Sequence, residues 1–196
     1  MEAGLTRKRV YLAGPDVFLP DAAARAAALK QICARYGLEG ISPLDAHPEP
    51  PAAWSGLAEP ARIHRQNEAH ILRCDALIAN VTPFRGPSAD VGTAFELGFM
   101  RALGRPVFGY ATTALGFTAR TLAALGAGIA AHEDGWRDAH GMAVEAFGLF
   151  DNLMLDGGIT ASGGILVAED RPETERWSDL TVFERCVRLA AERLKP

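Results

Sequence analysis

Cysteine is scarce in this chain, with three in 196 residues. Cys33, Cys74 and Cys186 lie far apart and include no CxxC pair. That excludes a disulfide framework or a thiolate zinc ribbon and points to buried thiols in a reducing compartment. His47, His64, His70, His132 and His140 form no HExxH or comparable ligand spacing, so no metal is expected. Positive charge is also thin. The net charge is -4 and the only dense basic run is Arg7-Lys8-Arg9, without a basic stripe interleaved with aromatics, which argues against a nucleic-acid partner. No apolar run approaches the roughly 20 residues of a membrane span, and the apolar segment before Pro15 is too short for a signal peptide. The expectation is a cytoplasmic protein. The first strand is not followed by GxGxxG, and no GxxxxGK[ST] occurs, so neither a dinucleotide nor a nucleoside triphosphate is indicated and no cofactor is expected.

Apolar residues make up 48% of the chain and charged ones 22%, which suits a substantial core. The length predicts one domain over 1–196. Arg9 to Ala13 is a short run of strand formers ended by Gly14-Pro15-Asp16. A helix follows, with Leu29, Ile32, Cys33 and Tyr36 at helical spacing and Gly37 as its stop. Leu38 to Ser42 predicts a second strand. Residues 43–60, carrying Asp45, His47 and Trp54, are an irregular loop, and loops that long in compact domains are often functional. Ala61 to Arg73 is helical by pattern, with Ile63, Asn67 and Ile71 on one side; Ala76 to Val81 is a strand buried on both faces. The Asp90 helix runs to about Leu103 with Gly104 as its C-cap, and Val107 to Ala111 is the next strand.

This alternation predicts an α/β fold, a flavodoxin-like (Rossmann-like) parallel five-stranded sheet with helices on both faces. Beyond it, Phe117 to Leu125 and Ala143 to Phe150 are expected as helices, Gly126 to Ala131 as a turn, and Glu133 to Trp136 as a polar connection. Asn152 to Leu155 is expected as the fifth strand, residues 157–167 as a loop or a hairpin, and 174–195 as a terminal helix with Leu180, Phe183, Val187, Ala190 and Leu194 inward.

Ligands of such sheets bind beyond the carboxyl ends of the strands. Gly14 to Phe18, the 43–60 loop, Thr82 to Ala89 and the start of the Asp90 helix should therefore surround one crevice. Asp90 is a favourable N-cap, and Gly92 lets a ligand approach the backbone closely. One turn on, Glu96 is a lone carboxylate between Phe95 and Leu97. Burying such a charge is costly without a partner. It is either paired, with Arg101 or Arg73, or used for chemistry.

The stretches Tyr11-Leu12-Ala13-Gly14-Pro15, Asp75-Ala76-Leu77-Ile78-Ala79-Asn80, Asp90-Val91-Gly92-Thr93-Ala94-Phe95-Glu96-Leu97-Gly98 and Asp151-Asn152-Leu153-Met154 resemble, in the same order, the motifs of the nucleoside 2-deoxyribosyltransferases. The resemblance implies base exchange at the anomeric carbon of a 2'-deoxynucleoside, with a free nucleobase as acceptor. Glu96 would be the nucleophile, forming a deoxyribosyl intermediate with net retention, as in retaining glycosidases. Tyr11 would orient Glu96, Asp75 would be the proton donor to the departing base, and Asp90 would accept from sugar hydroxyls. Asn152 would enter a neighbouring subunit's pocket at the sugar's 5' end, which implies a homo-oligomer. Gly14, Asp16, Phe18 and Met154, with Asp45, are further candidates to shape the pocket.

Two other functions compete. One is a nucleoside 5'-monophosphate N-glycosidase using water as acceptor, for which Ser88 and Arg85 stand near the site while the Asp90 carboxylate would repel a phosphate. The other is a non-catalytic nucleotide-sensing domain, which would have no need of a nucleophile. Residues 157–196 carry no motif of the family.

Overall fold

A computed structural model describes residues 7–48 and 51–195. The expectations placed on residues 1–6 and on 49–50 of the loop fall outside the described residues. Strand β1 (Lys8–Ala13) leads to helix α1 (Ala22–Arg35), β2 (Leu38–Ile41), α2 (Glu59–Leu72), β3 (Ala76–Asn80), α3 (Val91–Ala102) and β4 (Val107–Ala111). Then come α4 (Phe117–Leu125), the short strands β5 (Ala130–His132), β6 (Gly135–Arg137) and β7 (Ala143–Val144), α5 (Leu153–Ala161), β8 (Leu166–Ala168) and α6 (Thr181–Arg193).

The main sheet has the order β2-β1-β3-β4-β8 with every pairing parallel. Side chains alternate across it because successive strand residues point to opposite faces. Val10, Leu12, Ile78, Phe108 and Tyr110 pack with Leu29, Ile32 and Cys33 of α1 and Phe183, Cys186, Val187 and Ala190 of α6. Tyr11, Ala13, Leu77, Ala79 and Val107 face the other way, against Ile71, Leu97, Met100, Leu155 and Ile159. The three cysteines are buried and free. Among the described residues, no helix is long and apolar enough to cross a membrane.

Several expectations are corrected. The fifth strand is Leu166–Ala168, inside the stretch left as a loop or hairpin, whereas Asn152 to Leu155 starts a helix. The Asn152 side chain accepts from the Met154 amide at 3.0 Å, and Asp156 accepts from the amides of Phe150 (3.1 Å) and Asp151 (2.8 Å), so this apolar run is capped as a helix start. Ala143 to Phe150 is not helical. Ala143–Val144 is the edge of a small antiparallel sheet, β5-β6-β7, that also takes up the expected turn and polar connection. Finally, the terminal helix begins at Thr181, after a 3-10 turn at Glu173–Glu175, and α2 begins at Glu59.

Candidate active site

Gly14 ends β1 where the chain must pass close to β3. A Cβ there would lie 2.6 Å from that of Asn80, and its φ of 154° is one L side chains rarely adopt, so glycine is required. The 3-10 turn that follows (Pro15–Phe18) delivers Val17 and Phe18 to the rim of a cleft of about 470 Å³. Pro43 and Leu44 line it from the segment after β2, and Ile63, Gln66 and Asn67 from α2. Asp90, Gly92, Thr93 and Glu96 line it from the start of α3. The volume is in the range of small-molecule sites.

At the cleft floor the Tyr11 hydroxyl donates to Glu96 Oε1 at 2.6 Å. Tyr11 is fully buried in β1 and lies in the same layer as Leu97, so the packing of α3 on the sheet sets the height at which phenol and carboxylate meet. Burial raises the Glu96 pKa to about 7; the Tyr11 bond works against that rise and the nearby charge of Asp90 adds to it. Neither arginine considered as a partner pairs with it: Glu96 is bonded to a neutral phenol.

Asp90 caps α3, accepting from the Thr93 amide (3.0 Å) and hydroxyl (3.3 Å). Both bonds use Oδ2; among the described residues nothing donates to Oδ1, so that oxygen keeps its acceptor capacity.

Asp75, expected as a proton donor, is not in this cleft. It stands just before β3, at the opposite end of the sheet, where its carboxylate accepts from the Arg9 amide (2.8 Å) and Lys8 Nζ (3.2 Å). Burial opposes ionisation there, but the Arg9 amide and the Lys8 charge outweigh it and hold the carboxyl below its ordinary value. Such a group is ionised at neutral pH and has no proton to give.

Asp16 is also not at the surface of the cleft. It is buried beneath the Pro15–Phe18 turn, accepting from Arg25 Nε and Asn80 Nδ2, each at 2.8 Å. Arg25 in turn donates to the Ser178 carbonyl at 3.2 Å. Asp16 therefore positions the turn from below. Asp45 is engaged with Lys30 (2.8 Å) and the Ser42 amide (3.0 Å), holding the segment after β2.

Asn152 caps α5 and donates from Nδ2 to Glu145 at 2.7 Å; neither it nor Met154, which is 71% exposed, lines the cleft of its own chain. The preceding residue anchors the site. Asp151, 1% exposed, accepts from the Ser88 hydroxyl, the Ala89 amide (3.0 Å), Arg120 Nη2 (3.2 Å) and the Asn152 amide (2.7 Å). Arg120 also donates to the carbonyls of Pro87 (2.6 Å) and Phe150 (2.7 Å). This buried pair clamps the loop that delivers Asp90. Ser88, considered as a phosphate ligand, is spent in that clamp.

Gln66 and Asn67 were not foreseen as lining residues, although an amide on the Ile63/Ile71 face of α2 was a signal. Asn67 Oδ1 is buried without a hydrogen-bond partner among the described residues. An unmet acceptor on a residue lining an open cleft calls for a partner that the protein itself does not supply, an ordered water or a ligand.

Residues 10–154 match the family model described as nucleoside 2-deoxyribosyltransferase. The chain belongs to that family. An uncharacterized protein of Schizosaccharomyces pombe, C191.05c, is 32% identical over 170 residues, spanning 82% of this chain and 81% of its own. Among solved structures, a 2-desoxiribosyltransferase from Leishmania mexicana is 31% identical with a TM-score of 0.57, over 76% of this chain and 85% of that one. A conserved protein from Enterococcus faecalis V583 shares the fold over 96% of this chain and 99% of its own, at 21% identity and a TM-score of 0.54.

Proposed function

We propose that this protein exchanges the nucleobase of a 2'-deoxynucleoside for a free nucleobase, by double displacement on Glu96. The observation that carries this is the 2.6 Å bond from the buried Tyr11 hydroxyl to Glu96 Oε1 at the floor of the cleft. A carboxylate held through one oxygen leaves the other to attack. In the first step an Oε2–C1' bond forms as the C1'–N bond breaks, and the departing base takes the electron pair; the second base reverses the process, giving net retention. Tyr11, whose phenol burial holds far above its usual range, stays protonated and keeps the nucleophile in place.

Asp90 Oδ1 suits a sugar hydroxyl. Asn67 and the Gln66 side-chain oxygen face the base edge from the facing helix, Gln66 Nε2 donating to the Asp45 carbonyl at 2.8 Å, and Phe18, Gly14 and Leu44 enclose it. With Asp75 at the far end of the sheet, the polar groups facing the base are these amides rather than an acid.

The 5' end of the sugar would be met by Asn152 and Met154 of a second copy. Supporting this, Val91 (85%) and Phe95 (55%) on α3 and Leu153 (41%) and Met154 (71%) on α5 are exposed apolar side chains on helices that pack together, a surface suited to self-association. A homo-oligomer completing its own site, working in the reducing cytoplasm on deoxynucleoside salvage, fits these features.

The test is incubation of a deoxynucleoside with a different free base, followed by chromatography. Exchanged nucleoside of unchanged anomeric configuration is expected without added phosphate. Free deoxyribose with no exchange at saturating acceptor would overturn transfer in favour of N-glycoside hydrolysis.

A further inference from the structure

Next to the Glu96 cleft, and sharing Phe18 with it, lies a second hollow of about 400 Å³ lined by Phe84, Arg85, Arg176 and Trp177. Phe18 and Phe84 stack with centroids 5.4 Å apart and planes 8° from parallel; Trp177 meets Phe84 edge-on at 6.0 Å. The Arg85 guanidinium rests over both stacked rings, 5.2 Å from the centroid of Phe18 and 4.6 Å from that of Phe84. Cation–π contact of this kind fixes the plane of the guanidinium and leaves its N–H edge for a ligand.

Arg85 is exposed, yet among the described residues no carboxylate or carbonyl accepts from it. Its neighbour Arg176 differs. Glu173 neutralises it at 3.2 Å, and its Nη2 donates to the Pro83 carbonyl at 2.9 Å, which leaves a buried Nε with no acceptor.

The loop bearing Arg85 is pinned at each side. Arg176 holds Pro83, Arg120 holds Pro87, Asp151 holds Ser88, and the Phe84 amide donates to the Ser88 carbonyl at 3.0 Å. Arg85 itself has a φ of 56°, alone among described non-glycine residues in being positive. That sparsely populated conformation, held by a clamped loop, sets one unpaired cation in the hollow that adjoins the cleft across Phe18.

We infer that Arg85, stacked on Phe18 and Phe84, is an oxyanion subsite that receives a phosphate or carboxylate carried by the ligand in the Glu96 cleft. This rests on the cleft being the substrate site, as proposed above. A planar fork with a free edge matches either oxyanion bidentately. Because Phe18 encloses the base while the sugar's 5' end faces the second copy, the source is an acidic substituent on the base, and a 5'-phosphate is the competing outcome of the test. It would lie on the Arg85 side of Phe18, away from the Asp90 carboxylate that disfavours anions at the helix start.

Calorimetric titration in a Glu96→Gln background, where turnover is blocked, separates these sources. One arm compares a deoxynucleoside with its 5'-monophosphate; the other compares a free pyrimidine with the same ring bearing a carboxylate. In the base arm the anionic ligand should bind about tenfold or more tightly, as expected of a charge-assisted bidentate contact; a response confined to the phosphate arm overturns the base as the source. Arg85→Ala should abolish the difference, Arg85→Glu should reverse it, and Arg85→Lys should recover only part. Equal affinity in both arms, or a difference that survives in Arg85→Ala, overturns the subsite. Base exchange by the unmodified protein is measured separately. Absence of exchange with Arg85-dependent anion binding would sink the transfer reaction and leave the subsite standing.

Discussion

Two carboxylates stand at opposite ends of the parallel sheet, Asp75 before β3 and Glu96 in α3, and the protein drives them in opposite directions. Asp75 receives a backbone amide and an ammonium and is held below its ordinary pKa. Glu96 receives one neutral phenol, faces the charge of Asp90 and is pushed up to about 7. Burial opposes ionisation at both; at the more deeply buried Glu96 it prevails, because one phenol only partly offsets it, while at Asp75 an amide and a cation overcome it. The donors thus lock Asp75 as a structural anion, whereas the phenol positions Glu96 and leaves an oxygen available.

The largest expected effect is on chemistry. Glu96→Gln should lower base exchange by about a thousandfold or more, as loss of a covalent nucleophile does, while Asp75→Asn should leave kcat within about twofold and cost about 1 kcal/mol of stability. Steady-state kinetics with thermal unfolding measure both; a large fall in kcat for Asp75→Asn would break the contrast. Next is Tyr11→Phe. Removing a hydrogen bond to a charged group is worth about 1.5–3 kcal/mol, or about 10–100-fold in rate. Because that bond lowers the Glu96 pKa, its loss should also move the acid limb of kcat/KM upward from about 7. A limb that stays put would show that the bond does not tune the nucleophile.

A smaller effect lies in stability against pH, where the two groups should oppose each other. Glu96 binds its proton more tightly folded than unfolded, so its contribution falls as pH rises from 4.5 to about 7. Asp75 is depressed, so its contribution is full above 3.8 and is lost as pH falls through its lower folded value. Melting temperatures of Glu96→Gln and Asp75→Asn across pH should each flatten one of these windows and not the other. The smallest is Asn152→Ala, which removes the α5 cap at about 1 kcal/mol. Mixed with Glu96→Ala chains it should regain exchange if sites are shared between subunits; no recovery after confirmed subunit mixing would place Asn152 in a capping role alone.

Much of the architecture was legible because it depends on local pattern. Strand and helix alternate through β4, the Asp90 cap is a side-chain property of one residue, and buried cysteines follow from composition. The fifth strand was not. Asn152 to Leu155 and Leu166 to Ala168 are both short apolar runs, and periodicity over three or four residues does not distinguish strand from helix. Capping by Asn152 and Asp156 decided the first, and an open edge beside β4 decided the second. The small β5-β6-β7 sheet was hidden for the same reason, its strands being two or three residues long.

The sequence by itself determined the first four strands of the sheet, the family and the candidate nucleophile, since each is carried by short motifs whose own residues lie close together in the chain. Tertiary structure alone decided which acids meet. Tyr11 and Glu96 are 85 positions apart and touch, while Asp75, inside the same set of motifs, is turned to the far end of the sheet and tied to Lys8 and Arg9. A strand has two ends, and which of them faces the ligand follows from the direction of the chain through the sheet rather than from the residue that precedes it.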